Sequence, residues 1–309
     1  MKKSGNILKQ QPTGLPPTDL AGYDPTRDAG ALRNPYEPDG PTIISFSGGR
    51  TSGFMLWNVL QACGGKLPED VIACFQNTGL EHPKTYEFVK QVEDKWQVPI
   101  LWLEMTLDQA ECGKKSYGYR QTNFETASRL GEPFAELIKK KKYLPNPVAR
   151  FCTSELKVLT VNRYVENELG WDDWDVFVGL RADEPWRVAK LKSDNRKDNP
   201  LAPLHKAGHT TQDVADFWKQ SDFDLDLPGG DNTFGNCVGC FLKGRSKLER
   251  IMENNPEHFA WWIQMEKEVG GTFRSDRPSY ETMFTEITIQ GKLFDDRYPD
   301  DSMPCMCHD

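Results

Sequence analysis

Apolar residues in this chain gather into short runs set between helical patterns, and the first is Thr42-Ile43-Ile44-Ser45-Phe46. A run this rich in β-branched and aromatic residues predicts a buried strand. It breaks at Ser47-Gly48-Gly49-Arg50-Thr51-Ser52, after which Met55, Leu56, Val59, Leu60 and Cys63 recur at helical spacing until Gly64-Gly65. Val71-Ile72-Ala73-Cys74-Phe75-Gln76 predicts a second strand, ending at Asn77-Thr78-Gly79. Pro83 opens a helix with Tyr86, Val89, Val92 and Trp96 on one face, and Pro99-Ile100-Leu101-Trp102-Leu103 is a third strand. Strands alternating with helices predict a parallel sheet, whose ligands sit beyond the carboxyl ends of its strands. Ser47 and the Asn77-Thr78-Gly79 turn are therefore expected to face one crevice.

The alternation fails between about 105 and 150, a stretch holding Lys139-Lys140-Lys141-Lys142 and Pro145-Asn146-Pro147; it is expected to be an insertion over the site. Arg150-Phe151-Cys152-Thr153-Ser154 starts a further helix, with Thr153 or Ser154 as its cap. Val176 to Leu180 is a fourth strand, leading into the charged loop Arg181-Ala182-Asp183-Glu184-Pro185-Trp186-Arg187. Thr210 with Asp213 three residues on marks another helix start. Pro256 opens a helix carrying Phe259, Trp262, Ile263 and Val269, stopped by Gly270-Gly271.

Three regions follow from this pattern. Residues 1–40, rich in Pro, Gly, Asp and Arg without periodicity, read as a flexible arm or tail. Residues 41–205 are expected to form an α/β domain, and 206–309 a helical, cysteine-bearing C-terminal region. The chain has 309 residues and a net charge of −8, so a generally basic nucleic-acid surface is excluded, though a local basic patch is not. The amino-terminal residues lead into no apolar core and no run is long enough to span a membrane, so a cytoplasmic protein is expected. Eight cysteines in such a chain suggest metal, cluster or redox chemistry before disulfides.

The candidate chemistry begins at the first glycine turn. Strand, Gly-Gly turn and helix in that order bring backbone N–H groups and a positive helix end to one point, an anion site. Gly48 and Gly49 would let backbone approach phosphate, with Ser47, Thr51 and Ser52 as hydroxyl donors. A Walker A loop and a dinucleotide fingerprint are both excluded, the first by its missing Lys and the second by its missing third glycine. Ser-Gly-Gly-x-x-Ser instead resembles the PP-loop of the adenine-nucleotide α-hydrolase superfamily. With Asn77 to Gly79, Gly179-x-Arg181-x-x-Glu184, Pro203-Leu204 and Cys237-x-x-Cys240 in register, the chain resembles the phosphoadenosine phosphosulfate (PAPS) reductase family over roughly 42 to 270. It is also similar to the sulfurtransferases of DNA phosphorothioation and tRNA thiolation.

The resemblance implies a Rossmann-like parallel sheet and an adenine nucleotide as ligand, either ATP or PAPS. It implies phosphate on Ser47, Gly48, Gly49, Arg50, Thr51 and Ser52, with adenosine bordered by Asn77, Thr78 and Gly79. Arg181 and Arg187 would pair with anionic oxygens, and Asp183 and Glu184 would orient Arg181 or help hold a metal ion such as Mg. The intact glycines suit ATP, hence adenylation followed by sulfur transfer. The alternative is reduction of PAPS or adenosine phosphosulfate to sulfite, with Cys307 as nucleophile. A non-enzymatic nucleotide-binding protein is the third reading. Cys152, Cys237 and Cys240 resemble part of a [4Fe–4S] ligand set, completed by Cys305 or Cys307 or left with an open fourth iron, while Cys237, Cys240, Cys305 and Cys307 would make a closed zinc site. Partners expected are the nucleotide, a sulfur or electron donor protein, and a nucleic-acid acceptor held by the basic 139–163 region. His82 is assigned packing or capping, Cys63 and Cys74 the core, and Cys112 no role.

Overall fold

The computed structural model describes residues 33–109, 115–191, 197–290 and Met303. The arm up to residue 32, Cys112, Cys305 and Cys307 lie outside the described residues. Six strands form one sheet: β1 (Thr42–Ser45), β2 (Val71–Gln76), β3 (Ile100–Gln109), β4 (Lys115–Thr122), β5 (Trp174–Val178) and β6 (Asp198–Leu201). Their order is β4-β3-β2-β1-β5-β6. Every neighbouring pair is parallel except β3 and β4. The chain is thus a mixed α/β protein with a mostly parallel sheet, the fold class its alternating pattern predicts.

Helices cover both faces of this sheet. Helix α1 (Arg50–Ala62) and helix α2 (Pro83–Trp96) lie on the face where Ile44, Phe46, Ala73 and Phe75 are buried. Pro83 opens α2, and the His82 ring accepts from Lys84 N–H at 3.2 Å as its cap. On the other face Ile43, Cys74 and Leu103 meet Val161, Tyr164 and Val165. Alternate residues of a strand point to opposite faces, which is why Ile43 and Ile44 serve different cores.

Several local expectations change. The helix after Arg150 begins at Phe151, so Thr153 and Ser154 lie inside it; the Ser154 hydroxyl donates to Phe151 O at 3.2 Å. It runs through π-helical turns at Ser154–Val158 and Val165–Leu169. Residues 115–122 extend the sheet as a strand antiparallel to β3. Strand β6, with sequence Asp-Asn-Pro-Leu, has no apolar run to announce it. The Thr210–Asp213 capping box forms, with Thr210 N–H donating to the Asp213 carboxylate at 2.6 Å.

Candidate functional site

The phosphate-type loop is built by its own residues. Gly48 takes φ +77°, a left-handed value open to glycine, and Gly49 caps α1. The Ser52 hydroxyl, fully buried, accepts from Ser47 N–H at 3.2 Å and donates to Gly49 O at 3.1 Å, closing the turn. Among the described residues, the N–H groups of Gly48, Gly49, Arg50 and Thr51 have no protein acceptor. These are the orphan donors of a helix start, and here they look into a cleft of about 530 Å³.

Packing also requires glycine at position 48. A Cβ there would stand 2.6 Å from Thr85 Cγ2 and 3.0 Å from Val89 Cγ2, both on α2. The glycine lets the loop sit on α2, so a larger residue harms the fold before it reaches a ligand.

Arg181 comes to this loop from the carboxyl end of β5. Its Nη1 donates to the Thr51 hydroxyl at 2.9 Å, across 130 residues of sequence. Asp183 accepts from its Nε at 3.1 Å, and Glu184 lies 3.2 Å from its Nη2. Glu184 also takes Arg187 Nη1 at 2.5 Å, so one carboxylate holds both guanidinium groups. Burial opposes ionisation of Asp183, yet the Thr211 hydrogen bond and the Arg181 charge hold its carboxyl below the usual range. Arg187, expected to pair with anionic oxygens, is buried.

The remaining expected residues divide. Arg50, expected to grip phosphate, lines the same cleft as the loop, and its Nε and Nη2 form a fork on Asp224 at 2.7 and 2.9 Å. Nη2 also donates to Leu225 O at 2.8 Å and Nη1 to Gly230 O at 3.1 Å. Asn77, expected beside adenosine, is buried and saturated. Its amide donates to Glu104 at 2.6 Å and to Ser128 O at 2.8 Å, while its carbonyl accepts from Gly79 N–H and the Tyr86 hydroxyl. Thr78 donates to Glu81 at 2.7 Å and lies 3.3 Å from Cys237 Sγ. Gly79 O accepts from Gly131 N–H. These residues form an internal joint at the end of β2.

Cys237 docks on that joint through a bridge between Glu81 and Cys237, and Val238 N–H donates to Leu80 O at 2.9 Å. Among the described residues no group of three or more His, Cys, Asp or Glu side chains is placed to hold a metal ion. The described residues alone do not assemble the four-cysteine set, with Cys305 and Cys307 outside them.

Residues without a recognisable sequence signal complete the picture. Thr211 and Lys219, on the helix that the Thr210–Asp213 box starts, also line the loop's cleft, as do Asp224 and Asn232 from a segment that no motif marks. A second cleft of about 440 Å³ opens beside Ser45, Gln76 and Val178 at the strand ends. Arg150, Lys157 and Lys190 line it, with the helix that follows Arg150 as one wall. The basic 139–163 region contains Lys139, Lys140, Lys141, Lys142, Arg150, Lys157 and Arg163 against the single acid Glu155. Lys140, Lys141 and Arg163 converge on the Tyr117 ring, at 4.4, 5.4 and 4.9 Å from its centroid.

No family model matches the chain. It is 34% identical over 209 residues to the "Uncharacterized nin region protein ORF290" of Escherichia phage lambda, covering 67% of either chain. The chain belongs to the family of that phage protein. A phage 186 protein, the "Uncharacterized 37.8 kDa protein in gpa 5'region", is 25% identical over 267 residues, covering 77% of this chain and 78% of its own. Protein MJ0066 of Methanocaldococcus jannaschii is 27% identical over 168 residues, 54% of this chain but only 28% of its own length. Among solved structures, PAPS reductase from Candida auris, a phosphate complex, aligns with TM-score 0.35 and 17% identity over 59% of this chain and 73% of its own. The U34-tRNA thiolase NcsA from Methanococcus maripaludis, with its [4Fe–4S] cluster, aligns with TM-score 0.39 and 16% identity over 79% and 75%. No described helix is long and apolar enough to cross a membrane.

Proposed function

We propose that this chain is an enzyme that binds an adenine nucleotide at the Ser47–Ser52 loop and activates it for sulfur chemistry. The observation that carries the reading is Arg181 Nη1 on the Thr51 hydroxyl, 2.9 Å apart. It sets a guanidinium, held by Asp183 and Glu184, beside unpartnered N–H donors at a helix start. Fixed donors and a fixed cation around one opening suit a phosphate group. An array of four N–H groups with two hydroxyls suits more than one phosphate, which favours ATP and adenylation with sulfur transfer. The nucleoside end fits the second cleft, beside Ser45 and Gln76, better than the saturated Asn77 to Gly79 turn. The basic 139–163 region borders that cleft through Arg150 and Lys157, and we assign it to a nucleic-acid acceptor.

Calorimetric titration of ATP and of PAPS into the same anaerobic sample tests the reading. ATP is expected to bind more tightly, and Arg181→Ala to weaken it roughly tenfold, the loss of one charge-assisted contact. Sulfite released from PAPS with a dithiol, without measurable ATP binding, would establish the reductase instead. Metal analysis of that sample settles the cysteines. Iron and sulfide, about four of each per chain, are what the family resemblance implies for Cys152, Cys237, Cys240 and Cys305. Zinc alone would favour the closed site of Cys237, Cys240, Cys305 and Cys307.

A further inference from the structure

Across the phosphate-type loop stands a second wall, the segment from Asp222 to Asn236. It is fastened at several points. Lys95 pairs with Asp222 at 2.7 Å, Arg250 pairs with Asp231 at 2.7 Å, and Lys243 Nζ donates to Gly235 O at 2.6 Å. The contact nearest the loop is Arg50, whose fork takes both oxygens of Asp224 and whose remaining bonds reach Leu225 O and Gly230 O. Four bonds from one side chain thus span residues 224 to 230. Asp224 itself lines the cleft, as does Asp231.

A carboxylate facing a phosphate cradle is a liability. Like charges at a few ångströms repel, and the opposing cation here is not aimed at the ligand but at that carboxylate. We propose that Arg50 is a positioning residue: it straps the 224–230 segment over the loop and neutralises Asp224, leaving Arg181 to meet the ligand's charge. The planar fork explains why arginine serves at this position. A lysine ammonium could not take both Asp224 oxygens and two carbonyls in one geometry. This inference rests on the reading that the cleft takes a phosphate group. It assigns Arg50 a role different from the phosphate contact that the sequence suggests.

The test is a cycle of Arg50→Ala, Asp224→Ala and the double variant, each titrated with ATP and with inorganic pyrophosphate. Hydrogen–deuterium exchange of the ligand-free proteins is measured in parallel. As a strap, Arg50→Ala should weaken binding roughly tenfold, because an uncompensated Asp224 then faces the anion. The double variant should recover most of that loss, and Arg50→Lys should fall between wild type and Arg50→Ala. Exchange of the 224–230 amides should rise in Arg50→Ala while α1 stays protected. Two results would overturn the proposal: unchanged exchange in 224–230, or a double variant as weak as Arg50→Ala with Asp224→Ala alone binding more tightly. The second is what a direct phosphate contact by Arg50 predicts. If wild type binds neither probe, the nucleotide reading falls, and the exchange result alone decides the strap.

Discussion

Two turns at the carboxyl ends of adjacent strands carry the same kinds of residue and have opposite fates. The turn after β1, Ser47 to Ser52, keeps a row of N–H groups without acceptors among the described residues and opens on a cleft. The turn after β2, Asn77 to Gly79, is buried, and the polar groups of Asn77 and Thr78 are tied within the protein, to Glu104, Ser128, Tyr86, Glu81 and Cys237. Small, hydroxylic and glycine residues at a strand end therefore mark a place where the backbone must turn, and nothing more. What sets the first turn apart is the donor left unpaired among the described residues. The saturated turn instead anchors the Cys237 segment to the sheet.

The largest expected effect breaks the second turn. Glu104 is fully buried and accepts from Asn77, Arg120 and both the N–H and hydroxyl of Ser128. Glu104→Ala strands these donors, and we expect a loss of about 3–5 kcal/mol in urea unfolding, the usual cost of removing one partner of a buried pair. A loss below 1 kcal/mol would mean that this network does not hold the turn. Arg181→Ala, by contrast, should act on nucleotide binding far more than on stability.

A smaller effect is expected at the first turn. Gly48→Ala meets Thr85 Cγ2 at a left-handed φ, and should cost about 1–3 kcal/mol of stability. Thr85→Ser removes that methyl, so the pair of changes should regain part of the loss while the backbone strain stays. Full affinity loss with unchanged stability would return Gly48 to a direct role at phosphate.

The smallest effect is a dependence on pH. Burial, then the nearby charge of His258, pushes His82 down to about 4 from its ordinary 6.5. Between those values the unfolded chain binds the proton and the folded one does not. Stability is therefore complete above 6.5 and lost as pH falls toward 4. His82→Asn keeps an acceptor for the Lys84 N–H and removes the titration, so its unfolding midpoint should vary less with pH over this window. An identical pH profile in both proteins would remove His82 as the source.

Much of the scaffold was legible from local chemistry. The runs at 42–46 and 71–76, the proline at 83 and the Thr210–Asp213 box each appear as strand, helix start and cap. Strand β6 and the helix Tyr280–Gln290 were not legible, the first because an edge strand of four residues with a proline carries no apolar alternation. Of the site, the loop and Arg181 were legible as motifs. The partners that decide their roles were not: Asp224 lies 174 residues from Arg50, and Thr51 lies 130 from Arg181.

The sequence by itself determined where the chain turns, because glycine, proline and capping residues act on the backbone within a few positions of themselves. It also determined that a helix start with free donors follows β1. Only the tertiary structure decided which of those donors stay free. A hydrogen-bonding group is used up by whatever acceptor the fold brings to it, and for Asn77 and Arg50 that acceptor comes from a distant segment. The same folding step left the Gly48 to Thr51 amides facing an opening, with Arg181 beside them.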